Sequence, residues 1–300
     1  MNDQALWEPL FRDMQKHLEI LPDKPEETPE NTLRALWLTA AGQPVSAKKA
    51  AQTALPDLND EQAEHLRNLV QKRLSGVPLA HLTGRQQFMG VELLAGPQAL
   101  VPRKETELLG FGALDLLKEL AQSRPLPLTV MDICTGAGNL AVALTVRFPE
   151  VKMFAADLAP EAVALAQKNV EFHGLQEKIR VEAGDLLQPF DAPEFRGAVD
   201  LLLCNPPYIS SAKVKTMPEE ISKHEPSLAF DGGPFGIKIL GRLLKEAPDY
   251  LKSGGWLGFE VGLGQGEPMK KRLEKNPHFS DIRTASDAQG NIRALFAQRV

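Results

Sequence analysis

From about residue 127 onward the chain reads as an α/β domain on a seven-stranded, mostly parallel sheet, preceded by a small helical bundle and a linking β-hairpin. Three observations carry that reading. Short apolar runs alternate with stretches of helical period, the pattern of a parallel sheet covered by helices on both faces. The first ~80 residues contain no strand pattern. Finally, the ends of successive apolar runs collect polar turns bearing glycine and proline, at the edge where open α/β sheets hold ligands.

The elements follow in order. In 4–19, Leu6, Leu10, Phe11, Met14 and Leu18 fall on one helical face. Residues 23–30 (DKPEETPE) form a polar loop, and Thr28-Pro29 starts a second helix that ends near Gly42. Ser46 caps a short helix through Ala54. Asn59 or Asp60 caps a fourth, in which Leu66, Leu69, Val70 and Leu74 recur before Gly76 stops it. These helices predict a bundle over residues 1–76. A linker over 77–105 contains a hairpin at 86–94 (QQFMGVELL), two apolar segments around Gly90 with a weak turn signal. The remaining domain, 106–300, opens with an amphipathic helix over 108–120. Its strands are expected at 128–133, 152–156, 179–182, 199–203 and 256–261, with helices at 138–148, 160–173, 237–251 and 265–275. Segments 282–284 and 292–298 add a closing antiparallel hairpin.

Composition narrows the function classes. Of 300 residues 43% are hydrophobic and 24% charged, values of a globular chain with a proper core. A net charge of −5 argues against strong nucleic-acid binding, which needs a surplus of Lys and Arg. The opening MNDQALWEPLFRDM lacks the basic and apolar sections of a signal peptide, and no apolar run approaches the ~20 residues of a membrane span. A cytoplasmic protein is expected. Cys134 and Cys204 end predicted buried strands and read as small core residues. His65, His81 and His173 show no ligand spacing, so no metal site is expected.

The most informative motif is Asn205-Pro206-Pro207-Tyr208, directly after the apolar run 199–204. Two prolines lock φ and remove N–H groups, and Asn205, preceding a proline, is pushed out of the helical region. The product is a stiff hook with carbonyl acceptors and an aromatic face. It suits a planar NH2 group, whose hydrogens the acceptors hold while Tyr208 stacks on its plane.

A cofactor loop is predicted from Asp132 through Cys134, Thr135, Gly136, Ala137 and Gly138, a strand running through a glycine turn into a helix. Asp157 ends the next strand, where a carboxylate accepts both hydroxyls of a ribose. Asp185 follows the third strand, at the place of an adenine, with Leu186 covering its face. Two ligands compete. A dinucleotide fingerprint tolerates Ala141 at its third glycine position, so the loop alone does not exclude a pyrophosphate. Asp132, however, favours an ammonium and disfavours a pyrophosphate, which points to S-adenosylmethionine.

Taken together, these motifs resemble the HemK/PrmC family of protein-(glutamine-N5) methyltransferases, from about residue 60 to the end. The segments are Pro78 to Gly84 with Gln87-Phe88, the stretch 101–107 (VPRKETE), the loop from Asp132 to Gly138, the hook Asn205 to Ile209, and His224-Glu225-Pro226 with Gly232-Gly233. The resemblance implies a Rossmann-like, class I methyltransferase domain with S-adenosylmethionine as cofactor. It implies a glutamine side chain as acceptor, the Gly-Gly-Gln motif of a peptide chain release factor being the first candidate. It also implies catalytic roles for Asn205, Pro206 and Tyr208, and a substrate-docking role for the bundle. Asn205, Pro206, Pro207 and Tyr208, with Phe88 from the hairpin, would line the glutamine pocket, although Phe88 equally suits a hairpin core. Glu105 and Glu107 suit either a helix N-terminus or closure over the cofactor. His224-Glu225 suits either a surface loop or the substrate entry. Three positions depart from the family pattern: Cys134 for glycine, Lys104 for proline and Phe235 for aspartate. Alternative acceptors are a ribosomal-protein glutamine, the exocyclic amine of adenine in a nucleic acid, or a small metabolite.

Overall fold

The structure is a computed structural model and describes residues 3–21, 23–210, 224–230, 232–233 and 236–300. Phe235 lies outside the described residues. Helices α1 (Asp3–His17), α2 (Pro29–Ala40), α3 (Ala47–Ala50) and α4 (Asp60–Leu74) form the expected bundle. Thr28 caps α2 through its hydroxyl, which accepts from the Asn31 N–H at 3.2 Å. Asn59 and Gln62 close a reciprocal capping box on α4. Met14, Leu33, Leu36, Trp37 and Leu66 are each at most 1% exposed and form the core of the bundle.

Two details differ from the sequence reading. Helix α3 is a single turn, and the Ser46 side chain does not cap it. Its backbone N–H instead donates to Glu92 Oε1 on the hairpin at 2.7 Å, so the residue serves the junction rather than the helix. The start of the presumed linker is a short helix, α5 (Leu79–Thr83), which begins after Pro78 and is stopped by Gly84 in the left-handed region.

Strands β1 (Arg85–Phe88) and β2 (Val91–Leu94) are the predicted hairpin. Its turn residues Met89 and Gly90 both have positive φ, 49° and 79°. That pair of signs is the turn matching strand twist, usually made by Asn-Gly. Here Met89 accepts the strained conformation while its side chain, 1% exposed, enters the core, which is why the turn signal is weak. The hairpin is fastened on both sides. Glu92 accepts from Ser46 and pairs with Lys49 of the bundle at 2.8 Å. On the other side, Asn169 brackets Leu94, accepting from its N–H and donating to its carbonyl at 2.7 and 3.0 Å.

Helix α6 (Thr106–Leu120) leads into β3 (Leu128–Ile133), α7 (Asn139–Arg147), β4 (Val151–Asp157), α8 (Pro160–Phe172), β5 (Ile179–Ala183) and β6 (Val199–Cys204). After α9 (Lys238–Glu246) come β7 (Leu251–Glu260), α10 (Gly266–Glu274), β8 (Phe279–Ser286) and β9 (Ile292–Arg299). The sheet order is β5-β4-β3-β6-β7-β9-β8. Pairing is parallel from β5 to β7 and antiparallel at β9 and β8, the Rossmann-like class I methyltransferase arrangement. Helix α9 ends earlier than expected because Pro248 turns the chain. Strand β7 correspondingly starts earlier, at Leu251. Strand β6 is buried at all six positions, as a central parallel strand must be. Strand order reverses between β3 and β6, so the turns after β3, β4, β5 and β6 gather at one edge.

Candidate active site

A cavity opens at that edge. Its walls include Asp132, Gly136, Asp157, Asp185, Leu186 and Asn205, brought together from four different strand ends. Cys134, Thr135 and Pro207 also face it. Ala137, 1% exposed, belongs to a small cluster with Ala162 behind the loop. Among the described residues no group of His, Cys, Asp or Glu could hold a metal ion.

Asp132, 1% exposed, accepts on Oδ2 from the Thr135 hydroxyl at 2.5 Å and the Ala141 N–H at 3.2 Å. Its other oxygen, Oδ1, is buried without a hydrogen-bond partner. Burial pushes its carboxyl up to about 7 against the pull of those two donors. A buried acceptor left open beside a cavity is a place for a cationic donor. The amino group of S-adenosylmethionine supplies one, and a pyrophosphate does not. On this observation the residues fit the cofactor.

The loop turns on left-handed residues. Gly138 sits at φ 81° as the N-cap of α7, and a Cβ there would lie 3.2 Å from that of Ala166 on α8. Cys134 takes φ 60°, a left-handed conformation that favours glycine. The departure noted at this position therefore carries backbone strain. Cys204 is fully buried, and that burial pushes its thiol well above the ordinary range, consistent with a core residue.

Asp157 terminates β4 and accepts from the Gly136 N–H at 2.8 Å and the Ala159 N–H at 3.0 Å. Desolvation pushes its carboxyl upward, offset by these backbone donors. Asp185 lines the cavity while Arg242 of α9 grips both its oxygens at 3.0 and 2.9 Å. Leu186 beside it is 5% exposed.

Just after β6, Asn205 lines the cavity and donates from Nδ2 to the Thr106 hydroxyl at 3.1 Å, leaving Oδ1 as its acceptor end. Tyr208 donates its hydroxyl to Glu260 Oε1 at 2.8 Å. Burial and that carboxylate push the phenol well up, so it remains a neutral donor. The hook is clamped from behind. The Ile209 N–H donates to the Phe230 carbonyl at 2.9 Å, the Gly232 N–H donates to the Ile209 carbonyl at 2.8 Å, and Gln265 donates to the Tyr208 carbonyl at 3.0 Å. A Cβ on Gly232 would lie 2.5 Å from the Pro207 carbonyl, so only glycine allows this approach.

Phe88 does not line the cavity. It is 1% exposed and packs in the core with Met89, Leu93 and Leu109, because its inward position on β1 faces the sheet domain. Glu107 accepts from the Met89 N–H at 2.7 Å and so secures the hairpin turn. Glu225, 6% exposed, accepts from Arg103 and the Val101 N–H at 2.5 and 2.8 Å, a structural role rather than an open loop. Arg103 also pairs with Asp23 of the bundle side at 2.9 Å. Sequence reasoning quoted Thr106 only as part of the stretch 101–107 and missed its contact, and it missed Arg242, Glu260 and Gln265. Each is recognised only through a partner more than fifty positions away.

A family profile described as the methyltransferase small domain matches residues 108–235, and one described as the PrmC N-terminal domain matches 23–84. The release factor glutamine methyltransferase of Geobacter sulfurreducens is 34% identical over 79% of this chain and 79% of its own. That of Rhodopirellula baltica is 34% identical over 80% of each. Among solved structures, the human Mettl16 catalytic domain in complex with an RNA hairpin is 15% identical with a TM-score of 0.52, covering 98% of this chain and 91% of that one. Human methyltransferase 10 domain containing protein reaches 0.50 at 19% identity, covering 70% and 88%. These two likenesses concern the fold. The chain belongs to the HemK/PrmC family of release factor glutamine methyltransferases, S-adenosylmethionine-dependent enzymes that methylate a glutamine side chain.

Proposed function

We propose that this chain methylates the side-chain amide of the glutamine in the Gly-Gly-Gln motif of a peptide chain release factor, in the cytoplasm. The observation that carries the reading is Asn205. Its amide is anchored by Thr106 at the rim of the cavity that Asp132 and Asp157 also line.

When bound, S-adenosylmethionine supplies an electrophilic methyl group on a sulfonium. Asp132 Oδ1 would hold its ammonium, Asp157 its ribose hydroxyls, and Asp185 with Leu186 its adenine. Thr135 sets the Asp132 rotamer, and the Gly136-Ala137-Gly138 backbone with Cys134 shapes the loop. An amide nitrogen is a weak nucleophile because its lone pair is delocalised into the carbonyl, so orientation matters more than a strong base. Asn205 Oδ1 and the Pro206 carbonyl accept the two hydrogens of the glutamine NH2. That aims the lone pair along the line of transfer and accepts the positive charge that develops on nitrogen. Pro207 keeps the hook rigid and Tyr208 packs on the amide plane. Transfer of the donor's methyl would form the C–N bond and leave the donor as a neutral thioether, and the extra amide proton would leave to water.

Residues 1–76 are the docking domain, 77–105 the linker with its hairpin, and 106–300 the catalytic domain. Supporting this division, Glu92 and Arg103 tie the bundle side to the hairpin and to Glu225 beside the catalytic edge.

The test offers release factors, ribosomal proteins and DNA separately with isotope-labelled donor, and locates the methyl by peptide mass spectrometry. Label on the Gly-Gly-Gln glutamine is expected. Label on another glutamine moves the target within the same chemistry, and label on an adenine amine overturns the reading.

A further inference from the structure

Asn139 carries a polar group that the mechanism above does not use. It is the first residue of α7, and it lines the cofactor cavity together with Asp132. Its Oδ1 is buried without a hydrogen-bond partner, as is Asp132 Oδ1. An asparagine at a helix start ordinarily turns that oxygen to a backbone N–H of the first turn. Here those groups are already taken. The Ala141 N–H donates to Asp132 Oδ2 at 3.2 Å, and the Val142 N–H donates to the Gly138 carbonyl at 2.9 Å. The bond from Ala141 also ties Asp132 to the turn that Asn139 begins, so the two open oxygens belong to one corner of the cavity. A buried acceptor left unmet is costly, and this one is unmet on a wall where a ligand binds.

We propose that Asn139 Oδ1 is a second acceptor for the ammonium of S-adenosylmethionine, beside Asp132 Oδ1. This rests on the placement of that ammonium on Asp132 above. An ammonium brings three N–H groups, and the open Asp132 oxygen meets one of them. The others, taken out of water, carry the penalty of any buried unpaired N–H unless a further acceptor is ready. A carbonyl oxygen serves where a second carboxylate would not. Two carboxylates in one corner repel, which favours protonation of one of them and would cost Asp132 its charge. One charged and one neutral acceptor therefore suit a single primary ammonium. They give the site a preference for ligands that carry this amine over the same adenosine without it.

Titration calorimetry of wild type, Asn139→Ala and Asp132→Asn with three ligands tests this. S-adenosylmethionine has the whole amino-acid head, its decarboxylated form keeps the amine alone, and methylthioadenosine has neither amine nor carboxylate. Alanine is the best helix former, so α7 keeps its start in Asn139→Ala. That variant is expected to bind S-adenosylmethionine and the decarboxylated form each about tenfold more weakly, the scale of one hydrogen bond to a charged group. Methylthioadenosine should stay within about twofold of wild type, which also shows that the rest of the cavity is intact. A loss with S-adenosylmethionine alone would put the amide on the carboxylate and overturn the proposal. Equal losses with all three ligands, or no loss with any, overturn it as well. Failure of the underlying placement has a different signature: Asp132→Asn would lose no more with S-adenosylmethionine than with methylthioadenosine, and both assignments would fall together.

Discussion

The open oxygen of Asp132 makes donor binding depend on pH in a calculable way. The carboxyl is pushed up to about 7 in the free protein, and an ammonium on Oδ1 pairs only with the charged form. With the carboxylate staying charged in the complex, lowering pH from about 7 to about 6 should weaken S-adenosylmethionine about fivefold, about 1 kcal/mol. Above about pH 8 the affinity should fall again, as the donor's own α-amino group, of ordinary pKa about 8, loses its proton. Asp132→Asn removes both the charge and the dependence, leaving an affinity at pH 8 at least tenfold below wild type, on the order of one buried charge-assisted hydrogen bond. Titration calorimetry at several pH values reads this directly. Methylthioadenosine, which lacks the amino acid portion, is the control and should bind with little pH dependence. Equal dependence for both ligands, or a flat profile for S-adenosylmethionine, would refute the placement of the ammonium on Asp132. The same shift affects the fold. Because the folded value lies above the ordinary 3.8, the unfolded chain sheds its proton first, and this group's contribution to stability declines as pH rises from about 4 to about 7.

Other outcomes follow from single residues. Asn205→Ala should cut turnover by about 100-fold, the scale of one lost polar contact at a reacting centre, with donor affinity preserved in the same calorimetric assay. Asp157→Ala should do the reverse, weakening the donor at least about tenfold while sparing the rate at saturation, since its two backbone partners Gly136 and Ala159 also lose their acceptor. Cys134→Gly should raise stability by about 0.5–1 kcal/mol, the left-handed strain relieved less the added freedom of the unfolded chain. Cys134→Val should lower it, both read as shifts in the denaturant midpoint. Breaking the buried Arg103–Glu225 pair with Glu225→Ala should cost about 3–5 kcal/mol locally and raise hydrogen exchange around Val101.

Much of the fold was legible because parallel strands buried on both faces are written as continuous apolar runs. Strand β3 has the limits its sequence implies, and the core strand β6 differs by a single residue, Cys204. Caps were legible for the same local reason, since Asn59 and Gln62 stand three positions apart. What was not legible depends on partners chosen by topology. Ser46 looks like a helix cap until Glu92, 46 positions on, claims its N–H. Phe88 looks like a pocket residue until the hairpin folds it inward. Of the candidate site, the gathering of Asp132, Asp157, Asp185 and Asn205 around one cavity was readable, because each stands at the end of a strand. The contacts of Thr106 and Glu260 were not: Thr106 stands in the stretch 101–107 and Glu260 in no motif, and the meaning of each comes from Asn205 and Tyr208. The glycine-favouring φ at Cys134 was invisible for a different reason: the sequence names the residue but not the dihedral it must adopt.

The most direct measurement is to incubate a purified release factor with S-adenosylmethionine and this protein, as wild type and as Asn205→Ala, and to map any modification by fragmentation mass spectrometry. The account predicts one methyl group on the side-chain nitrogen of the Gly-Gly-Gln glutamine with wild type and almost none with the variant. A methyl group elsewhere, or the same yield from Asn205→Ala, would contradict it.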